Sequence, residues 1–521
     1  MEEKINNKND FSKQIRLGAL ISYAAIFFNV IIGLLYTPWM ISEIGQSNYG
    51  IYTLAIALIS FFTMDFGLGE AVSRFLSKYD SENNSENKKD FLGIVFKIYI
   101  VIDIIILLTL IFVFVFIDII YMELTIEELN KFRMVFIIGG MYSLASFPFI
   151  PFNGILISNQ RFIFLKFTDL FNKFFTVFTM VIVLVLDNGL YSLIIVNAIV
   201  GMITILLKLY YLLNNKMLKV NFKAKDKNLL KEIFSFSIWI ALISMSQRFV
   251  LNITPTIIAA LSGSIQISLF SIAMIIEGYI WTLATALNGL FLPKITNITA
   301  NKNNIINIEN LMIKVGRIQL IIVGLIIIGF FTMGKEFIVL WMGESFKDSY
   351  YITLFLIAPS IVILTQQIAD TTLIVTNKMK YAAFSSIVVA VISVTFSLYL
   401  TSKFGAIGSS FGILMGNIIG QVIIMNYIYY KILNLNILRF FMETHFKMGV
   451  SLLLCIIFGF SLQFYFPTEN LIIFMGKIFI FSLFYFGIMW RFTLNAYEKS
   501  IFGDVLLKLS LYFRRKKNVQ K

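Results

Sequence analysis

The chain has 521 residues, 58% hydrophobic and 14% charged, with a net charge of +14 and a mean hydropathy of +0.84. Runs of 18 or more apolar residues read as bilayer-crossing helices, and about fourteen such runs leave no stretch that can bury a soluble core. The basicity does not point to nucleic acid, because the lysines and arginines gather in alternate loops, the pattern of a multi-pass membrane protein.

The apolar segments fall near residues 17–39, 50–72, 92–117, 134–157, 163–186, 190–213, 235–260, 267–291, 315–334, 351–375, 382–401, 406–431, 447–465 and 471–493. The first is too long for a signal-peptide core and is followed by no small-residue cleavage site, so it is read as helix one. Residues 1–16 carry Lys4, Lys8, Lys13 and Arg16, and the 72–97 connection carries Arg74, Lys78, Lys88, Lys89 and Lys97. The 208–231 connection holds seven lysines, and the chain closes on Arg514, Arg515, Lys516 and Lys517. Loops at 42–48, 187–188, 262–266 and 466–470 are short and poor in cations. This asymmetry places both termini in the cytoplasm and agrees with an even helix count.

The predicted organisation is a six-helix lobe over 1–213, a lysine-rich cytoplasmic linker over 214–232, a second lobe over 233–432 and a further helix pair over 433–493. The linker lacks proline and is expected to form a short interfacial helix. Residues 494–521 place Ile501, Phe502, Val505, Leu506 and Leu509 at helical spacing beside Lys499, Lys508 and Arg514, which suits a helix lying on an anionic leaflet. Between segments three and four, Thr125, Ile126, Glu127 and Glu128 form a capping-box pattern.

The two lobes share fragments about 218 residues apart. Tyr36-Thr37-Pro38 leading to Gly45, Tyr52 and Ala55 recurs as Ile253-Thr254-Pro255 leading to Gly263, Phe270 and Ala273. Ser158-Asn159-Gln160 returns as Thr376-Asn377-Lys378, and Gly189 returns near Gly408. The predicted fold is therefore all-α and membrane-embedded, with a six-helix unit written twice in parallel and one additional pair. Such duplication builds several secondary-transporter folds, with the substrate path where the halves meet.

A charge near the bilayer centre costs about 2.5–3.5 kcal/mol even on lenient scales, so intramembrane ionisable groups mark function or pairing. Arg248 and Glu277 lie at similar predicted depth on consecutive segments, with Gln247 and Asn252 nearby and Pro255 bending the helix above them. They read either as a neutralising pair or as an anion-binding arginine with a titratable partner. Asp65 has no cation close in sequence and is the better candidate for carrying a proton or sodium ion, whereas Glu70 and Arg74 are spaced to pair. Asp169 and Lys173 can pair at the same spacing, or Lys173 can face a cavity. Gln366, Gln367 and Asp370 give segment ten a polar face, Asn417 and Gln421 do so for segment twelve, and Asn29 polarises segment one.

No P-loop, zinc-ligand spacing or GxSxG motif occurs, so no enzymatic role and no cofactor or metal is expected. Cys455 stands alone inside an apolar segment and His445 is the lone histidine, which excludes a disulfide framework and a histidine metal site.

The run Ile44-Gly45-Gln46-Ser47-Asn48-Tyr49-Gly50-Ile51-Tyr52 is similar to the LG-x-x-x-YG-x-Y turn of polysaccharide-unit flippases of the Wzx type in the MOP exporter superfamily. Asp65-Phe66-Gly67-Leu68-Gly69 with Arg74, Pro151 to Gly154, Gln160-Arg161-Phe162, Phe291-Leu292-Pro293 and Leu340-Trp341-Met342-Gly343 extend the resemblance over most of the chain. Many members carry an acidic residue after the polar cluster of the seventh helix, where this chain has Ile253-Thr254. The resemblance implies alternating access and transfer of undecaprenyl-pyrophosphate-linked oligosaccharide from the inner to the outer leaflet. On that reading Arg248, Lys173, Asn252, Gln247 and Asn29 face the head group, and Asp65, Glu277 and Asp370 serve coupling to a proton or sodium gradient. A multidrug or other lipid exporter of the same superfamily is the alternative, though a cavity bearing Arg248 does not suit cationic cargo. A membrane-bound polysaccharide polymerase would need a sizeable external loop, which is missing.

Overall fold

The computed structural model describes residues 30–82, 84–285, 291–300, 305–468 and 470–500. Asn29, the basic N-terminal residues and the amphipathic tail predicted from residue 501 onward lie outside them. Helix is the regular structure of the described residues, and no strand occurs among them. The helices are α1 (Val30–Ile44), α2 (Gln46–Phe62), α3 (Leu68–Ser81), α4 (Ser85–Val115), α5 (Ile126–Ser158), α6 (Phe162–Val185), α7 (Leu190–Asn214), α8 (Lys227–Thr285), α9 (Ile305–Met342), α10 (Ser349–Val375), α11 (Met379–Leu433), α12 (Ile437–Tyr465) and α13 (Leu471–Thr493).

Ten helices among the described residues are long and apolar enough to cross a membrane. This is a multi-pass membrane protein. The longest two have non-helical backbone inside them, at Gly263 in α8 (φ 78°, ψ −178°) and at Gly405 in α11 (φ 58°, ψ −140°). Each is far longer than the roughly 20 residues that span a bilayer. Exposed apolar residues such as Ile104, Ile105, Leu108, Ile111 and Phe112 on α4 fit contact with lipid rather than with water.

The left-handed positions repeat along the chain. Gly45 and Gly263, Asp187 and Gly405, and Lys216 and Asn434 each have positive φ and stand about 218 residues apart, and Gln160 and Asn377 match with one residue less. Several close helices by the same device. Gln160 N–H donates to the Ile157 carbonyl and Arg161 N–H to that of Leu156, and Asn377 and Lys378 do the same to Ile374 and Leu373. These are Schellman caps, which satisfy carbonyls that the helix end leaves free.

The described residues form two compact units, one within residues 30–275 and 379–420 and the other within 276–378 and 421–500. In the first unit the two arms of α11 pack through small residues. A Cβ on Gly412 would meet Ser397 N at 2.7 Å, and one on Gly416 would meet Ser393 Oγ at 2.1 Å and the Val389 carbonyl at 2.8 Å. Small residues at spacing four let membrane helices approach closely where apolar burial cannot drive association. Gly416→Leu is expected to destabilise the unit by about 1–3 kcal/mol or more, because it overpacks against backbone. A thermal-unfolding comparison in detergent checks this, and an unchanged midpoint would contradict the packing.

In the second unit α9, α12 and α13 share a core of Leu320, Ile321, Ile328, Met448, Cys455, Phe481, Tyr485 and Met489. The Tyr485 hydroxyl donates to the Ile321 carbonyl at 2.9 Å, so the buried phenol is satisfied.

The linker differs from the expected interfacial helix. Lys216 at φ 54° ends α7, and residues 217–226 run as turns and irregular chain before α8 begins at Lys227. Local side-chain bonds explain the outcome. Asn221 Oδ1 accepts from Lys223 N–H at 3.0 Å, competing with helical pairing, and Asp226 Oδ1 accepts from Leu229 N–H at 3.1 Å, an N-cap that starts α8 only at Lys227. The linker is docked on α4, with Asn221 N–H bonded to the Lys89 carbonyl at 3.0 Å and Asn221 Nδ2 to Asp90 at 2.7 Å. Gly93 permits this approach, since a Cβ there would lie 1.9 Å from the Asn221 carbonyl oxygen.

Candidate functional site

In the first unit the polar groups gather at the break between α2 and α3. Gly67 takes a left-handed φ of 72°, and Asp65 folds back so that its carboxylate accepts Gly69 N–H at 2.9 and 3.1 Å and the Tyr99 hydroxyl of α4 at 3.1 Å. A negative group at the first turn of α3 also meets the positive end of the helix dipole. Gly69 makes the fold-back possible, because a Cβ there would sit 2.2 Å from Asp65 Oδ2. Asp65 is thus the anchor of the helix break, a role its sequence position alone did not reveal.

Arg248 on α8 donates from Nη1 to Ser60 Oγ of α2 at 3.0 Å, and its charge reaches Asp65 electrostatically. Arg248 and Gln247 are exposed and Asn252 is half-buried. An arginine left exposed on an apolar spanning helix is costly against lipid, so its surface reads as one that water reaches. The cation that acts on Asp65 thus comes from a distant helix, and among the described residues it makes no ion pair with that carboxylate. Glu277, set beside Arg248 by the depth argument, belongs to the second unit and is half-buried there.

Lys173 is exposed on α6. Asp169 pairs with Lys166 at 3.6 Å and with Lys208 at 3.7 Å. Lys208, counted from the sequence as a loop residue, lies within α7 and is buried, with Nζ bonded to Asn153 Oδ1 at 3.0 Å. Glu128 completes the predicted capping box, and it also accepts the hydroxyls of Ser47 and Ser264. Those serines follow the paired left-handed residues Gly45 and Gly263. One carboxylate therefore ties the start of α2 to α8 just past its break at Gly263.

The second unit has its own polar set. Asp370 on α10 accepts the Tyr429 hydroxyl at 2.6 Å, and Gln366 donates to Asn426 at 2.6 Å and accepts from it at 3.3 Å. Asn426 and Tyr429 on the last part of α11 thus bond to α10, and the sequence reading names neither of them. Arg317 of α9 pairs with Glu498 at 2.5 and 3.0 Å and donates to the Glu443 and Thr493 carbonyls at 2.8 Å each. Lys477 of α13 meets Glu336 of α9 at 3.0 Å and Thr468 at 2.5 Å. These buried pairs are satisfied on every side and fasten α9, α12 and α13 together. Among the described residues no group of three or more His, Cys, Asp or Glu is placed to hold a metal ion.

The family described as polysaccharide biosynthesis protein matches residues 15–287, just over half of the chain. No curated protein matches the sequence. Among solved structures, the lipid II flippase MurJ in an inward closed conformation aligns with a TM-score of 0.71 at 16% identity, covering 94% of this chain and 100% of MurJ. An inward-facing multidrug resistance MATE transporter of the MOP superfamily aligns at 0.60 with 14% identity, covering 78% of this chain and 97% of that one. A MOP superfamily transporter from Pyrococcus furiosus, whose binding pocket has reversed polarity, aligns at 0.55 with 14% identity over 80% and 94%. The sequence match and the shared helical fold place this chain in the polysaccharide biosynthesis protein family, on the architecture of MOP superfamily transporters.

Proposed function

We propose that the protein flips an undecaprenyl-pyrophosphate-linked oligosaccharide repeat unit from the inner to the outer leaflet of a bacterial plasma membrane by alternating access. The observation that carries this reading is Arg248, exposed on an apolar spanning helix and braced by Ser60. A pyrophosphate with its sugars cannot enter hydrocarbon, whereas the polyprenyl tail can stay in it. A fixed cation in a wet surface answers that problem, since arginine stays charged and grips phosphate oxygens in pairs. Lys173, Asn252, Gln247 and Asn29 complete the head-group surface in this reading. The family match and the likeness to a lipid II flippase support it, and the recurring left-handed caps support two six-helix lobes in parallel repeat. The fold is shared with multidrug transporters, so the second reading is a drug or other lipid exporter. The exposed Arg248 disfavours cationic drugs as cargo.

Ion coupling is assigned to Asp65, Glu277 and Asp370. Asp65 holds the start of α3 through Gly69, and a proton or sodium ion arriving there would offset the negative charge at the helix break and weaken its attraction for Arg248. Differential ion and substrate affinity for two states is what coupling requires.

In a strain lacking the protein, the lipid-linked unit should accumulate on the inner leaflet, and its sugars identify the cargo. No accumulation, together with normal surface polysaccharide, would count against a flippase. Fourteen crossings with both termini inside complete the proposal. Cysteines placed at Ser47 and Asn188 should react with an impermeant thiol reagent from outside, and those at Asn84 and Asn221 should not. The opposite labelling would reject this orientation.

A further inference from the structure

A cavity of about 420 Å³ lies in the first unit, where the start of α4, the end of α7 and the docked linker come together. Four lysines, Lys88, Lys89, Lys216 and Lys219, line it against a single acidic residue, Asp80. Asp80 already takes Lys88, at 2.6 and 2.9 Å. Among the described residues, no ion pair holds Lys89, Lys216 or Lys219. Among the described residues, three of the four lining lysines are in no ion pair, although the carboxylates of Glu82, Asp226 and Glu232 also act on Tyr79 in the cavity wall.

Its walls are fixed by backbone. The Schellman cap at the end of α7 sets Lys216, with Lys216 N–H bonded to the Leu213 carbonyl at 3.0 Å and Met217 N–H to that of Leu212 at 2.9 Å. Asn221 clamps the linker to the Lys89 carbonyl and to Asp90. Asn84 caps α4, its side chain accepting from Asn87 N–H, so the positive end of a 31-residue helix also opens on the cavity.

The surroundings identify the kind of anion. Tyr210 and Leu213 at the end of α7 and Phe222 in the linker are exposed, and further along α4 the exposed residues are apolar, from Ile100 through Ile104 and Leu108. A ligand seated by its charge on these lysines would have apolar surface beside it on both helices. We propose that the cavity binds the phosphate of an anionic phospholipid, with the acyl chains lying along the exposed apolar faces of α4 and α7. Basic pockets between membrane helices recognise lipid head groups in this way, each lysine adding attraction that fades within a Debye length. The size agrees, since about 420 Å³ is many times the roughly 30 Å³ share of one water and admits a phosphate diester. The site uses none of the residues assigned to cargo or coupling.

The full-length protein in nanodiscs made with phosphatidylcholine, or with added phosphatidylglycerol, tests the proposal by native mass spectrometry and thermal shift. Phosphatidylglycerol should be retained and should raise the melting midpoint. Lys89→Gln and Lys219→Gln should each weaken retention about fivefold, and the double variant about thirtyfold, with the midpoint in phosphatidylcholine unchanged. Lys89→Arg with Lys219→Arg should restore retention and guards against a misfolded glutamine variant. Equal retention of the two lipids, or undiminished phosphatidylglycerol binding in the double glutamine variant, would overturn the proposal. So would stabilisation by inorganic phosphate that depends on the same lysines while phosphatidylglycerol has no effect, because the site would then serve a soluble anion.

Discussion

Arg248→Ala is expected to lower transport about a hundredfold in proteoliposomes loaded with the lipid-linked unit, with membrane abundance unchanged. The side chain is exposed, so its truncation leaves no packing defect, and the loss falls on whatever the guanidinium binds. A hydrogen bond to a charged group contributes about 1.5–3 kcal/mol, and a bidentate grip on phosphate uses two. Arg248→Lys keeps the charge without the fork and should retain part of the activity. Ser60→Ala removes only the brace at 3.0 Å and should cost a few-fold. Normal transport by Arg248→Ala, or its failure to insert, would make the arginine structural and move the head-group site elsewhere.

The second large effect concerns coupling. Transport should respond to an imposed pH or sodium gradient, and Asp65→Asn with Glu277→Gln should flatten that response while slower, gradient-independent movement persists. Asparagine at position 65 is the informative choice, because its Oδ1 can still accept Gly69 N–H and keep α3 capped while the charge is gone. Asp65→Ala removes the cap as well and should also lower thermal stability, by about 0.5–2 kcal/mol on the scale of helix caps. A double variant whose transport still follows the gradient would leave these carboxylates without a coupling role, and Asp370 with its Tyr429 bond would become the next residue to change.

Apolar runs announce spanning helices because hydrocarbon forces the backbone to satisfy itself locally, and that part of the molecule was readable from residue order. The capping box at Thr125 was readable for the same reason, since it depends on neighbours within a few positions, and Gly263 was readable because it repeats Gly45 about 218 residues on. Partnerships across long sequence separations were not. The bond of Arg248 to Ser60, 188 positions away, and its action on Asp65 could not be read from residue order. Lys208 counts with the linker lysines although the predicted segment 190–213 contains it, and nothing in the residue order shows that it is buried beside Asp169 and Asn153. The linker looked helical by composition, and asparagine and aspartate side chains turned it instead. The polar character of α10 was visible, yet which turn of α11 answered it was not, because a π-helical stretch at Ile418–Ile424 shifts the facing residues past any regular count.

The recurring left-handed caps also constrain how the chain can be cut and rejoined. The stretch from Gly45 to Asp187 has the same length as that from Gly263 to Gly405, and the stretch from Asp187 to Lys216 matches that from Gly405 to Asn434. The one-residue difference at Gln160 and Asn377 is made up before the next pair, so any insertion in one half has been cancelled within the same half. A single added residue would turn each following side chain by about 100° around its helix and slide it 1.5 Å along, which explains why the count is held. The pairs Gly45 and Gly263, Asp187 and Gly405, and Lys216 and Asn434 are accordingly natural splice points, at which a segment of one half can be exchanged for its counterpart without changing the phase of any helix downstream.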